Sequence, residues 1–187
     1  MNQSTKISAT ANILIGGHSK RFGSPKWEAT VNGIRLIDRT WDLCGMFNNR
    51  FVIGKEKPNL MPYPFIRDEL DIHSPINGLY SALNHSIFDW NFIISCDLPL
   101  MTNDTIYKLW ESTNKKYDAI IPVVSGYLQP TCAFYHKRVS NQIPKQIKNS
   151  DLSIHGLLET LKAKKVKLKN TEKEFTNMNT REELEKI

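Results

Sequence analysis

Ile13-Leu14-Ile15-Gly16-Gly17-His18-Ser19-Lys20-Arg21-Phe22-Gly23-Ser24-Pro25-Lys26 is the stretch on which the fold turns. Its first three residues are apolar and mostly β-branched, the composition of a buried strand. The chain then changes character within one residue. Gly16 and Gly17 open backbone angles that a side chain forbids, and they remove Cβ atoms that would hold a ligand away. Arg21 and Lys26 place two cations around the same loop. A strand running into a glycine turn, with exposed amides and paired cations, has the parts needed to hold a polyphosphate. Spacing excludes two common phosphate loops. A P-loop needs glycine followed directly by Lys and then Ser or Thr, whereas Gly23 is followed by Ser24 and Pro25. The dinucleotide fingerprint separates its first two glycines by one residue, whereas Gly16 and Gly17 are adjacent.

Outward from that loop, short apolar runs alternate with amphipathic stretches. This alternation predicts an α/β fold with a parallel sheet and crossover helices. Asn12–Ile15 is the first strand. Val31-Asn32-Gly33-Ile34 reads as a small hairpin turn. Helical spacing of Ile37, Trp41 and Cys44 predicts a helix over Leu36–Phe47. Arg50–Ile53 is a second strand, and Lys55–Pro64, with three prolines, is a loop. Phe65 and Ile66 form a short third strand ending at Arg67-Asp68. Ser74 can cap a helix that runs through Leu83 and Ile87, with Pro75 in the first turn. Phe92–Cys96 is the most strand-like run, and it ends in Asp97-Leu98-Pro99. A carboxylate at the carboxyl end of a central parallel strand sits where such sheets hold ligands. Thr102 caps a further helix through Ile106, Leu109 and Trp110. Ala119–Val124 and Thr131–Tyr135 read as strands, and Asn141–Asn149 and Ser153–Ala163 as helices.

At 187 residues, one domain spanning 1–187 is the expectation. The hydrophobic fraction of 40% and charged fraction of 24% are ordinary for a globular chain. No apolar run reaches the length that spans a bilayer. The amino-terminal residues lead into a strand and not into a signal-peptide core. A cytoplasmic protein without membrane association is therefore expected. Cys44, Cys96 and Cys132 are far apart and odd in number, with apolar neighbours, which predicts buried free thiols. That pattern suits a reducing compartment. The net charge of +6 is concentrated over Lys162–Lys169. Without interleaved aromatic residues, that run reads as a solvated helix end and edge strand, not as a nucleic-acid surface. The five histidines are scattered without metal-ligand spacing, and His73 and His85 read as surface residues.

The pattern Gly-Gly-x-Ser-x-Arg-x-Gly-x-x-Lys over Gly16–Lys26 resembles the signature loop of the molybdenum cofactor guanylyltransferases, the MobA family. The family loop reads Leu-Ala-Gly-Gly-x-Ser-x-Arg-Met-Gly-x-x-Lys. Ile15 and Phe22 replace its Ala and Met, apolar for apolar. Further matches are Pro75 and Gly78 in the turn that packs against the base, and Asp97 and Pro99 in a Cys-Asp-x-Pro motif. Tyr127-Leu128-Gln129-Pro130 and Thr131–Tyr135 resemble the family's Gln-Pro-Leu stretch before an alternating strand, a segment that would face the acceptor. Phe175–Thr180 resembles the family ending, with Arg181 for Pro and Glu183 for Asp. The resemblance implies a three-layer Rossmann-like fold of the nucleotide-diphospho-sugar-transferase kind, mostly parallel, with helices on both sheet faces.

It also implies a reaction. GMP passes from GTP to the terminal phosphate of molybdopterin, molybdenum-bound or not, and pyrophosphate leaves. Asp97 would hold Mg²⁺. Asn179 is either a second metal or phosphate contact or, with Thr180, a helix cap. Arg21 and Lys26 would neutralise the triphosphate. Leu14, Ile15, Gly16, Gly17, Ser19, Lys26, Asp68, Gly78 and Asp97 are the candidate nucleotide contacts. Molybdoenzymes or their chaperones are candidate protein partners. Base choice would lie in contacts around Gly54 and Ser74–Leu79. CTP with the same pterin, or another nucleotide with a sugar or alcohol phosphate, stays open as an alternative. So does a nucleotide-binding protein without turnover.

Overall fold

A computed structural model of the chain describes residues 6–16, 25–178 and 183. Gly17, Ser19, Arg21 and Asn179 lie outside the described residues. Among those described, ten strands and five α-helices follow one another. They are β1 (Ile7–Leu14), β2 (Thr30–Val31), β3 (Ile34–Arg35), α1 (Leu36–Leu43), β4 (Phe47–Gly54), β5 (Phe65–Arg67), α2 (Pro75–His85) and β6 (Trp90–Ser95). Then come α3 (Asn103–Glu111), β7 (Ala119–Val124), β8 (Tyr127–Leu128), β9 (Cys132–His136), α4 (Ile143–Lys148), α5 (Ile154–Thr160) and β10 (Ala163–Lys167).

Eight of these strands form one sheet in the order β10-β7-β9-β6-β1-β4-β5, with β8 attached to β7. β4, β5 and β6 extend the sheet from β1 in parallel, and β10 lies parallel to β7. β9 is antiparallel to both β6 and β7. The sheet is thus mostly parallel, as expected. Its central strands are apolar on both faces, because helices cover both. Ile37 of α1 and Ile106 and Leu109 of α3 belong to one buried cluster, with Phe47, Phe92 and Phe134 from the sheet. Ile76, Leu79 and Leu83 of α2, Ile143 of α4 and Leu157 of α5 belong to the cluster on the other face. The result is three layers.

Several boundaries differ from the sequence expectation, each for a local reason. α1 stops at Leu43 and a single 3₁₀ turn, Cys44–Met46, follows. Phe47 opens β4, where its ring stacks 5.4 Å from Phe92, so sheet packing takes a residue that helical spacing had assigned to the helix. α2 ends at His85, and Ile87 beyond it is 78% exposed. Ala163 begins β10 instead of ending α5, since hydrogen bonding to β7 outweighs helix propensity there. The hairpin at Asn32-Gly33 has positive φ at both residues, 52° and 77°, the backbone of a type I′ turn. β10 is an edge strand whose exposed lysines fit the solvated reading of that run. No helix among the described residues is long and apolar enough to cross a membrane.

Candidate active site

The site follows from where strands end. From β1 the chain adds β4 and β5 on one side and then crosses back to place β6 on the other. Strand order therefore reverses at β1, and the crevice beyond the carboxyl ends of β1 and β6 is the topological switch point. The glycine loop leaves β1 there, and Asp97 leaves β6 there. The strand ends are stitched to one another. The Ile15 amide donates to the Ile53 carbonyl at 3.0 Å, and the Cys96 amide to that of Leu14 at 3.4 Å. On the flanks, the Asp68 amide donates to the Gly54 carbonyl and the Ser95 amide to the Thr131 carbonyl, both at 2.9 Å.

A cavity of about 400 Å³ opens above these ends. Leu14, Ile15, Gly16, Asp68 and Gly78 line it, so five residues expected to contact nucleotide surround one cavity. Much of the remaining lining is apolar, from Trp27, Ile53, Pro58, Ile72 and Pro75. That composition suits a flat heterocycle with a few placed polar groups. α2 delivers its first turn to the cavity. Ser74 caps it by accepting from the Ile76 amide, and Pro75 occupies the position where a missing N–H costs nothing. Asn77 is fully buried and acts on the neighbouring loop. Its Nδ2 donates to the Leu70 and Ile72 carbonyls, and its Oδ1 accepts from the Leu70 amide at 3.0 Å. Gly78 is needed for close approach, since a Cβ there would stand 2.9 Å from Leu14 Cδ2.

Lys26 and Asp97 are separated by 71 residues and meet in space. Lys26 begins the 3₁₀ turn Lys26–Glu28, which buried Trp27 anchors to the core. Its Nζ lies 3.4 Å from Asp97 Oδ2, with side chains 25% and 14% exposed. The other carboxylate oxygen, Asp97 Oδ1, is buried and has no hydrogen-bond partner among the described residues. Leaving such an oxygen unmet costs about 1–3 kcal/mol, so it is a place for a donor or a cation. No group of three or more His, Cys, Asp or Glu side chains among the described residues could enclose a metal. A divalent ion on Asp97 would take its other oxygens from substrate phosphates and water, the usual habit of Mg²⁺. The residues present fit that ion. The carboxyl-terminal stretch also reaches this turn, where the Met178 amide donates to the Asp97 carbonyl at 3.1 Å.

At the far side of the cavity, Asp68 Oδ1 is likewise buried without a partner among the described residues. Burial raises the pKa of its carboxyl and the Lys55 ammonium pulls it back, with a net rise. Lys55 and His73 line the same cavity, and Lys55 Nζ lies 2.9 Å from the His73 imidazole nitrogens. His73 is exposed, as the sequence suggested, yet it stands at the cavity mouth. Lys55, Trp27 and Ser95 were not singled out from sequence as site residues, whereas Thr131 begins a segment that the resemblance placed toward the acceptor. For Lys55 a signal existed, since it directly follows the glycine that ends a parallel strand. Thr131 comes from the antiparallel side, which sequence periodicity could not place. The three cysteines are free and buried, and burial pushes the thiols of Cys44 and Cys96 up to about 12.

The sequence model of the MobA-like NTP transferase domain matches residues 11–166. An Aquifex aeolicus protein named "Probable molybdenum cofactor guanylyltransferase" is 31% identical over 183 residues, 95% of this chain and 89% of that protein. A Bacillus cereus protein of the same name is 30% identical over 182 residues, 91% of each chain. Among solved structures, molybdopterin-guanine dinucleotide biosynthesis protein A from Archaeoglobus fulgidus superposes with a TM-score of 0.81. That superposition spans 94% of both chains at 22% identity and speaks to the fold.

Proposed function

The chain belongs to the MobA-like NTP transferase domain family, and from that premise we propose that it is a molybdenum cofactor guanylyltransferase. The whole chain acts as one nucleotidyltransferase domain. It transfers GMP from GTP to the terminal phosphate of molybdopterin. An oxygen of that phosphate attacks the α-phosphorus, the bond from the α-phosphorus to the β-bridging oxygen breaks, and pyrophosphate leaves. The observation that carries the reading is the meeting of Lys26 with Asp97 beside a base-sized cavity at the switch point.

The acceptor explains why no general base is needed. A phosphate monoester has a second pKa of about 6 and is largely dianionic at neutral pH. The obstacle is repulsion between anions, so catalysis rests on alignment and charge neutralisation. Lys26 Nζ, held beside Asp97, donates to the triphosphate and to the departing pyrophosphate. Gly16 leaves open space where a Cβ would stand, so the backbone can approach phosphate closely. Arg21, Gly17 and Ser19 add a second cation and further amide donors through the loop motif, and Asn179 is a candidate contact from the other terminus. Asp97, with its unmet buried Oδ1, would hold Mg²⁺, which would supply charge neutralisation for the triphosphate. Asp68 accepts hydrogen bonds from the donors of the guanine edge. That role favours GTP over CTP and ATP, because guanine alone presents two adjacent N–H donors to a carboxylate.

The test is direct. Purified protein, GTP, Mg²⁺ and molybdopterin are incubated, with product read by mass spectrometry and pyrophosphate release. Asp97→Asn and Lys26→Ala are each expected to lower kcat by about a hundredfold or more, with the thermal transition retained. Wild-type turnover in either variant would overturn the assignment of that residue. A thermal-shift panel of GTP, CTP and ATP reads the base, since a ligand bound only by the folded state raises Tm. A larger shift with CTP would move the reading to a cytidylyltransferase.

A further inference from the structure

The donor cavity uses the carboxyl ends of β5, β4 and β1, where Asp68, Gly54 and Leu14 line it. Lys26 and Asp97 meet just past the end of β6, close in sequence to the lining residues Trp27 and Ser95. An acceptor whose phosphate meets the donor there must extend the other way along the sheet, toward β9, β8 and β7. One side chain stands out on that side. Tyr127 is 75% exposed and is the only aromatic among the exposed large hydrophobic side chains of the described residues. An exposed aromatic face at the ligand end of the sheet invites a flat partner.

The hairpin carrying it closes through a two-residue turn. Tyr127 pairs with Val124 and Leu128 with Val123 across the β7–β8 turn. Ser125 and Gly126, between them, both have positive φ, 49° and 85°, which fixes a type I′ turn. Leu128 packs into the cluster beneath α2, whereas Val124 belongs to the opposite cluster. Tyr127, directly across from Val124, therefore shares the face of Val124 and is held away from Leu128. The chain leaving β8 is tied to the site. The Gln129 amide donates to the Pro122 carbonyl at 3.0 Å, and Tyr135 Oη donates to the Pro130 carbonyl at 2.8 Å. Thr131 then lines the cavity and accepts from the Ser95 amide. β7 lies two strand positions from β6, or about 10 Å at ordinary strand spacing. That is the scale separating a phosphate from a ring system borne a few bonds away on the same small molecule.

We propose that Tyr127 is the platform on which the planar pterin of the acceptor stacks, setting acceptor affinity and the direction from which its phosphate approaches. The proposal rests on the guanylyltransferase reading for the identity of the ring. Two measurements on the full chain test it. In steady-state transfer, Tyr127→Ala raises the acceptor KM about tenfold and leaves the KM for GTP unchanged, while Tyr127→Phe behaves as wild type. In a titration without nucleotide, a pterin monophosphate is quenched in fluorescence by wild type and by Tyr127→Phe, and binds Tyr127→Ala about tenfold more weakly. An unchanged acceptor KM in Tyr127→Ala overturns the proposal, as does a pterin phosphate that binds wild type and Tyr127→Ala equally. Loss in Tyr127→Phe equal to that in Tyr127→Ala also overturns it, since the hydroxyl and not the ring would then be responsible. Tyr127-dependent binding of the pterin with no guanylyl product would uphold the platform and sink the transfer reading. Guanylyl transfer indifferent to Tyr127 would do the reverse.

Discussion

Asp68 illustrates how a single carboxylate is kept ready for a ligand. Its buried oxygen has no partner among the described residues, and burial raises its pKa above the ordinary 3.8. The Lys55 ammonium works against that rise and keeps the ionised form accessible. Only the ionised form offers both oxygens as acceptors, as the proposed guanine contact requires. Lys55→Met removes the opposing charge, so the carboxyl moves further up and loses its charge at a higher pH. GTP affinity of the variant, measured by calorimetry over the weakly acid range, is expected to fall off at higher pH than in wild type. An identical pH profile in the two proteins would separate Lys55 from Asp68. Asp97 uses the other solution. One oxygen is paired with Lys26 and the other waits, so a cation there completes a half-met group instead of competing with an existing bond.

At the scale of elements, the close fit of α2 against β1 shapes the cavity. Gly78 sits where a methyl group would press on Leu14, whose tip also lines the cavity. Gly78→Ala is expected to keep the fold, because Ala gains about 1 kcal/mol in helix propensity over Gly and the clash falls on a movable side-chain end. The displaced Leu14 then narrows the cavity, and the Kd for GTP rises several-fold while Tm stays within a few degrees. A variant that loses Tm but binds GTP normally would show that the contact serves packing alone. β9 makes the complementary point. Its antiparallel entry between β6 and β7 brings Thr131 to the rim and leaves Tyr127 beyond it.

Across the whole molecule, the ligand end and the opposite end of the sheet do different work. At the opposite end Asp118 joins three strands. Arg138 Nε donates to its Oδ1 at 2.6 Å and the Lys162 amide to its Oδ2 at 2.9 Å, while its carbonyl accepts from the His136 amide. Burial raises the pKa of this carboxyl. The Arg138 and Lys162 hydrogen bonds and the Arg138 charge outweigh burial, and the net value lies below the ordinary 3.8. A depressed carboxylate pKa means stability that is fully present above 3.8 and is lost as pH falls through the folded value. Asp38, lowered by its hydrogen bond from Arg35, has the same sign. Asp68, raised, has the opposite sign. Asp118→Asn should lose about 2 kcal/mol near neutral pH, and its deficit against wild type should shrink as pH drops below 3.8. Thermal unfolding over that range reads the deficit, and GTP KM should not move because the lock is remote from the cavity. A deficit constant with pH would mean that the charge of Asp118 contributes nothing.

What the sequence determined by itself was local. The glycine loop after an apolar strand, the Asp97 turn, the Ser74 and Thr102 caps and the alternation of strands with helices all follow from neighbours a few residues apart. These were enough for the α/β layering and for Leu14, Ile15, Gly16, Asp68 and Gly78 of the cavity lining. Tertiary structure decided what depends on partners far along the chain. Helical spacing could not give Phe47 to β4, because its stacking partner Phe92 is 45 positions away. The meeting of Lys26 with Asp97 and the exposure of Tyr127 came from strand order. The physical reason is that propensity and periodicity act along the chain, while burial, desolvation and unmet hydrogen bonds are set by whichever strands the sheet brings side by side.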